Sequence, residues 1–269
     1  MIAAAPGAAT VVTADAAGRT PVRILAAGSL RGVIADVAAA WASGGGGRID
    51  ACYGASGLLR ERIAGGEAAD VFASANMEHP RSLAAAGRAG PVSMFARNTL
   101  CALSTRAANV TTDTLLDRML DPAIKLGTST PKADPSGDYA FALFEKAERF
   151  RPGAYATLAT KALKLTGGPE APPRPPGPNV YGALVAGGHA DIFLTYYTTA
   201  LAARSAEPSL VISRLPEALS VAADYGVTVV DGASVAARCF VELLLSEPGG
   251  RIIAAHGFML PSRTQEIPR

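Results

Sequence analysis

The sequence feature that most constrains the fold is a unit that the chain repeats. Each unit consists of a mostly apolar run, a turn of small residues and a helical pattern. In the first unit the run covers residues 22–27, Gly28-Ser29 forms the turn, and apolar residues then recur at every third or fourth position as far as Trp41. That spacing is typical of one buried helix face. Alternation of this kind predicts βαβ units around mainly parallel sheets.

The same unit recurs along the chain. Further strands are predicted at residues 49–53, 71–73, 125–128, 191–195 and 227–230, and helices at residues 58–64, 80–86, 138–150, 180–185, 234–246 and 249–255. Residues 169–178 contain six prolines, which exclude a helix or a central strand and favour an extended surface loop over a domain linker. The units fall into two sets, so we predict two α/β lobes, with the chain crossing between them twice.

The predicted lobes are residues 22–97 plus 225–264 for the first and residues 98–224 for the second. Residues 1–21 are expected to be a flexible leader. They are rich in alanine but lack the basic start and the sustained apolar stretch of an intact signal peptide.

Composition and missing motifs exclude several classes of function. The net charge is only +2 with Lys and Arg scattered, which argues against nucleic-acid binding. The sequence has no run of eighteen apolar residues, which a membrane-spanning helix would need. It also has no glycine-rich nucleotide-binding motif. The cysteines at 52, 101 and 239 lie far apart without metal-ligand spacing. We expect no cofactor, and three cysteines that behave as small buried apolar residues.

The informative polar residues are Ser29, Ser56 and Ser136, placed where a strand gives way to a helix, together with Val180 at the start of a later helix. The first turn of a helix has unsatisfied N–H groups and a partial positive charge, so a hydroxyl there can help to hold an anion. Ligands of open α/β sheets sit at the carboxyl ends of strands. The alternative for each serine is a simple helix cap.

Longer motifs resemble one family. Residues 26–30 (Ala-Ala-Gly-Ser-Leu), 53–59 (Tyr-Gly-Ala-Ser-Gly-Leu-Leu) and 69–75 (Ala-Asp-Val-Phe-Ala-Ser-Ala) are similar, in order and spacing, to the first lobe of the periplasmic molybdate-binding proteins of ABC transporters. Residues 135–140 resemble that family's Pro-Ala-Gly-x-Tyr-Ala, residues 179–184 its Val-Arg-Gly-Ala-Leu, and residues 191–196 its strand that ends in tyrosine. The resemblance runs from about Val22 to Pro261 and implies a type II periplasmic-binding-protein fold with the ligand in the cleft.

The resemblance also implies a binding site for a tetrahedral oxyanion, molybdate or tungstate. It assigns hydroxyl and backbone donors to Ser29 and Ser56, backbone N–H donors to Ser136 and Val180, and a phenol donor to Tyr196. Four departures from the family bear on the site: Ser136 replaces an alanine, Tyr181 stands where an arginine is common, Tyr197 directly follows Tyr196, and the loop before Val180 is unusually rich in proline. Tyr181 and Tyr197 are therefore additional candidate ligand residues, and no metal is expected beyond the anion's own molybdenum or tungsten.

The expected partners are the oxyanion and the membrane permease of an ABC importer, and the protein is expected to be a periplasmic monomer. Sulfate, phosphate, chromate or a small organic acid is the alternative solute, and a ligand-sensing domain is the alternative role for the same fold. An enzyme is disfavoured because Gly54-Ala55-Ser56-Gly57 lacks the second glycine of a nucleophile elbow at the right offset. His79, His189 and His256 also have no acid partner motif.

Overall fold

The computed structural model describes residues 20–169, 171–173, 175 and 179–261. Strands and helices alternate through the first third of the described chain, as the sequence predicts. They are β1 (Val22–Ala27), α1 (Arg31–Ser43), β2 (Ile49–Gly54), α2 (Ser56–Ala64), β3 (Val71–Ser74), α3 (Glu78–Ala85) and β4 (Ser93–Ser104). Most of the predicted leader and parts of the proline-rich loop lie outside the described residues.

The remainder of the described chain continues the alternation and contains more elements than the sequence pattern predicts. They are α4 (Leu115–Leu120), β5 (Leu126–Ser129), α5 (Pro135–Glu148), α6 (Ala154–Lys161), β6 (Leu163–Thr166), α7 (Val180–Ala186), β7 (Ile192–Tyr196), α8 (Tyr197–Ala206), β8 (Val211–Arg214), β9 (Ala222–Val229), α9 (Val235–Leu245) and α10 (Glu247–Ala255).

Two long strands connect two sets of parallel strands. The sheet order is β2-β1-β3-β9-β4-β7-β5-β6, and β8 also pairs with β4. Within each set the pairs β1–β2, β1–β3, β5–β6 and β5–β7 are parallel, whereas every antiparallel pair involves β4 or β9. The predicted lobe boundaries fall on these two strands, where Arg97 pairs with Asp224. We propose β4 and β9 as the connection between the lobes.

Helices cover the sheet through apolar faces. Helix α1 buries Val33, Ile34 and Val37 on one face, and α5 buries Leu143 and Phe144. Burial of such side chains contributes about 1.5–3 kcal/mol each, so these faces hold the helices over the strands and fix where each strand-to-helix turn lies.

An aromatic cluster packs around Tyr225 of β9. Its ring centroid lies 5.2 Å from that of Phe258, 5.6 Å from that of Tyr196 and 6.4 Å from that of Phe95. Edge-on packing at these distances stabilises more than the buried area alone. Because β9 crosses between the two sets of strands, the cluster joins them.

Some predicted boundaries are wrong for identifiable reasons. Helix α5 begins at Pro135 rather than at residue 138 because the Asp134 carboxylate caps it and proline suits the first turn. Strand β9 begins at Ala222, five residues before the predicted start, because it pairs with β4 over that stretch. Helix α8 has no side-chain cap, so it lacks the start signal by which helices are recognised in sequence.

The cysteines differ in burial. Cys101 is buried as expected, but Cys52 and Cys239 are only half-buried, and none of the three forms a disulfide. Among the described residues, no helix is both long and apolar enough to cross a lipid bilayer.

Candidate functional site

A cavity of about 350 Å³ lies where the carboxyl ends of the two sets of parallel strands face each other. Parallel strands end on the same edge of a sheet, so the turns after β1 and β2 meet those after β5, β6 and β7 there. Four of the five predicted ligand residues line this cavity, and so does one of the two additional candidates. The four are Ser29, Ser56, Val180 and Tyr196, and the additional residue is Tyr181.

Both serine hydroxyls form hydrogen bonds within the protein. Ser56 Oγ accepts a hydrogen bond from the backbone N–H of Ala75 at 3.1 Å, which leaves the hydroxyl proton for another acceptor. Ser29 Oγ lies 2.9 Å from Tyr225 Oη, and Asn98 Nδ2 donates to that phenol oxygen over a long 3.5 Å. The phenol oxygen can accept more than one hydrogen bond, so either Ser29 or Tyr225 can be the donor of their shared bond.

Two further hydroxyls complete the set of donors. Thr198 lines the cavity and its Oγ1 accepts from Asn98 Nδ2 at 2.8 Å, so its proton is also available. The Tyr196 phenol is buried without a hydrogen-bond partner among the described residues. Burial raises the pKa of Tyr196 well above its usual value, so this phenol stays protonated and can only gain by donating to an acceptor.

The start of α7 contributes backbone groups. The Asn179 side chain accepts from the N–H groups of Tyr181 and Gly182, both at 3.1 Å. Val180 is the first residue of this helix, so its N–H has no acceptor within the helix. The predicted position of Val180 as a backbone donor is compatible with this arrangement.

Two candidates do not lie on the cavity wall. The backbone N–H of Ser136 donates to Asp134 Oδ1 at 3.0 Å, and its own hydroxyl is buried and unpaired within the described part of the chain. The donor role predicted for Ser136 therefore conflicts with the helix cap. Tyr197 is also absent from the lining, and its ring stacks against the Arg214 guanidinium at 4.1 Å.

Among the described residues, the cavity has two charged side chains that the sequence patterns did not single out, Arg31 and Asp134. Arg31 follows the Gly28-Ser29-Leu30 turn at the first position of α1, and its guanidinium carbon lies 4.2 Å from the centre of the Tyr53 ring. The Asp134-Pro135 pair is a recognisable helix start and would have drawn attention to Asp134. An arginine two residues after a turn serine has no comparable signal.

Burial raises the pKa of Asp134 to about 6, although the Ser136 N–H and the Ser129 hydroxyl favour its ionised form. Ionised Asp134 repels an anion in the cavity, so anion affinity is expected to rise about tenfold as the pH falls from 8 to 5.5. Isothermal titration across this range measures the effect. The Asp134→Asn variant, which keeps the oxygen that caps α5, should lose most of the pH dependence.

The same residue affects stability with a defined sign. The pKa of Asp134 in the folded protein, about 6, exceeds its ordinary value of 3.8, so the folded state binds more protons between these two values. Stability therefore falls as the pH rises from about 4 to 6, and Asp134→Asn should remove this contribution. An affinity profile that keeps its slope in Asp134→Asn would show that Asp134 is not the source of the pH dependence.

The structure gives one histidine an acid partner that the sequence pattern does not indicate. His256 Nε2 lies 2.8 Å from Asp36 Oδ2. The two residues are 220 positions apart, so no local motif could reveal the pair. Both are partly exposed, and the Ser29 hydroxyl is engaged by Tyr225 instead of His256.

Comparisons with known proteins identify a matching family and a relative. A family model described as bacterial extracellular solute-binding protein matches residues 22–259. A protein of Pasteurella multocida (strain Pm70), itself called uncharacterized, is 35% identical over 243 residues, which cover 90% of this chain and all of that protein.

Solved structures share the fold at low sequence identity. The Azotobacter vinelandii periplasmic molybdate-binding protein superposes with a TM-score of 0.73 at 17% identity, over 89% of this chain and 99% of that one. The Mycobacterium tuberculosis sulfate-binding protein gives 0.77 at 18% identity, over 91% and 88%. A substrate-binding domain of a putative molybdenum ABC transporter from Clostridium difficile gives 0.62 at 21%, over 90% and 99%. These matches confirm the predicted two-lobed α/β binding-protein fold.

Proposed function

Because the chain belongs to the bacterial extracellular solute-binding proteins and is a binding protein of ABC transport rather than an enzyme, we propose that it binds a tetrahedral oxyanion, molybdate or tungstate, in its cleft. It would deliver this anion in the periplasm, as a monomer, to the membrane permease of an ABC importer.

The main support for the proposal is that several hydroxyl groups of the cavity have a proton that no acceptor in the described part of the chain takes. Ser56 and Thr198 each accept a hydrogen bond from the protein, and the phenol of Tyr196 is unpaired. Their protons therefore need a ligand that offers acceptors. A fully deprotonated tetrahedral dianion offers four acceptor oxygens and no donor, so it matches such a set, and hydrogen bonds to charged acceptors are the strong ones.

Donors from both lobes also couple binding to closure. Ser29 and Ser56 follow β1 and β2, whereas Val180, Tyr196 and Thr198 follow the second set of strands. An anion held between them gains its full set of bonds only when the lobes are closed, which is the physical basis of a hinged binding protein. Apart from Arg31 the donors are neutral, which leaves discrimination among dianions mainly to the size of the closed site.

Isothermal titration with molybdate, tungstate, sulfate and phosphate tests the proposal. We expect submicromolar dissociation constants for molybdate and tungstate and much weaker binding of sulfate and phosphate. In the same titration Ser56→Ala should weaken molybdate binding by about tenfold, because one hydrogen bond to a charged ligand is lost. Equal affinity for sulfate, or no heat with molybdate, would reject the assignment, and an unchanged Ser56→Ala variant would reduce this serine to a structural role.

A further inference from the structure

We propose that the cleft also accommodates a tetrahedral oxyanion carrying one organic substituent, a phosphonate or phosphate monoester, and that Arg31 contacts this ligand from its position on the Tyr53 ring. The inference rests on the proposed function for the position of the tetrahedral head. It extends that function to the part of the cavity that the head leaves unfilled.

The cavity is larger than a bare oxyanion requires. It measures about 350 Å³, within the range of about 300–1,000 Å³ found for cavities that bind small organic molecules. Four oxygens around one central atom take roughly the space of four water molecules, or ~120 Å³. Space for a group of several carbon atoms therefore remains beside the head.

The wall of the cavity is chemically divided. Besides the hydroxyls, it includes the apolar side chains of Leu165, Ala171, Pro172, Ala202 and Phe258. A bare dianion gains no stabilisation from contact with apolar side chains, because water solvates it better than they do. An organic substituent gains by leaving water for such a surface, so the apolar part of the wall fits a substituted anion better than an inorganic one.

Arg31 supplies a cation that packs against an aromatic ring. Its guanidinium carbon lies 4.2 Å from the centre of the Tyr53 ring, and it forms no ion pair with any residue in the described ranges. Of the nearby acids, Asp36 is engaged by His256 and Asp134 caps α5. A guanidinium that packs on an aromatic ring keeps N–H groups that can donate to an anion, and Arg31 lines the cavity.

Titrations with methylphosphonate and phenylphosphonate test the inference, since the two share a head and differ only in the substituent. We expect phenylphosphonate to bind the wild-type protein at least tenfold more tightly than methylphosphonate. Arg31→Gln should weaken phenylphosphonate binding by at least tenfold. The matched control is Arg238→Gln, at an exposed arginine of α9 outside the cavity, which should bind like the wild type.

Molybdate in the same series separates the two proposals. Binding of molybdate without binding of phenylphosphonate would overturn this inference and leave the proposed function intact. Binding of phenylphosphonate without binding of molybdate would support the inference and reject the choice of anion. Equal affinity for the two phosphonates would show that the apolar wall does not contact the ligand, and an Arg31→Gln variant with wild-type affinity would remove Arg31 from the site.

Discussion

Replacing Gly57 with alanine is expected to weaken solute binding by at least about 100-fold while leaving the folded protein intact. A β-carbon at this position would lie 2.4 Å from the carbonyl oxygen of Lys132 and 2.7 Å from that of Ala133. Both are backbone atoms of the turn before α5, on the opposite side of the cleft. The N–H of Gly57 also donates to the Ala133 oxygen at 2.9 Å, so the two lobes touch directly beside Ser56.

The turn cannot easily move away. Lys132 has a left-handed backbone conformation with φ of 67°, and its N–H donates to the Asp138 carboxylate at 2.7 Å. The lobes must separate instead, which removes donors of one lobe from the ligand. Relieving such a clash typically costs about 1–3 kcal/mol and occasionally more. The loss of cross-cleft donors adds to that cost, and about 2.7 kcal/mol corresponds to 100-fold in affinity.

Calorimetry with molybdate and small-angle scattering together measure this effect. In Gly57→Ala the radius of gyration should not decrease when the ligand is added, whereas in the wild type it should. The midpoint of thermal unfolding without ligand should be unchanged or higher, because alanine favours a helix by about 1 kcal/mol over glycine. A loss of affinity that accompanies a large loss of stability would point to misfolding instead of blocked closure.

Gly90→Ala is the matched control for this substitution. Its added β-carbon would meet nothing nearer than the Val229 oxygen at 3.7 Å, which is ordinary contact. We expect wild-type affinity and wild-type compaction. Wild-type affinity in Gly57→Ala as well would mean that the cleft binds its ligand without this lobe contact.

Replacing Tyr196 with phenylalanine is expected to change affinity and stability in opposite directions. The phenol is 3% exposed and its oxygen has no partner among the described residues, and burying an unpaired hydroxyl costs free energy. Its removal should raise the free energy of unfolding of the ligand-free protein by about 1 kcal/mol. Molybdate affinity should fall by about 10- to 100-fold, since a hydrogen bond to a charged ligand is lost.

Urea unfolding and calorimetry measure the two quantities separately. Tyr225→Phe provides the contrast, because the Tyr225 phenol is partnered by the Ser29 hydroxyl at 2.9 Å, and its removal should lower stability by about 1 kcal/mol. A Tyr196→Phe variant that is destabilised like Tyr225→Phe would mean that the Tyr196 phenol has a structural partner, and its assignment as a ligand donor would fail.

These experiments depend on an architecture that local patterns predicted well. The runs at β1, β2 and β3 are short and bounded by small residues, so hydrophobic periodicity located them within a residue or two. Elements that are not bounded by such small residues were missed. Strand β8 is one of them, with only four residues, and helix α8 is another, because it follows β7 directly at Tyr197. Their assignment depends on pairing and packing with distant parts of the chain, which a local window of sequence does not contain.

The candidate site divides in the same way. Ser29, Ser56, Ser136 and Val180 stand where a strand meets a helix, and such turns share one edge of a parallel sheet, so their sequence positions predicted a common cleft. Tyr196 was assigned to that cleft by the family resemblance. Only the tertiary structure decided what else lies there. The cavity also contains Arg31, Asp134 and Thr198, which are placed there by tertiary packing. The backbone N–H of Ser136 is not available to a ligand, because it donates to the capping carboxylate of Asp134.

The sequence determined the periodic and local features of this protein, because strand period, helix face and turn chemistry are properties of adjacent residues. The tertiary structure decided which hydroxyl protons are free, which carboxyl is buried, and that the backbone at Gly57 must touch the turn at Ala133. Those properties depend on atoms brought together from positions far apart in the chain, where desolvation and hydrogen-bond competition act.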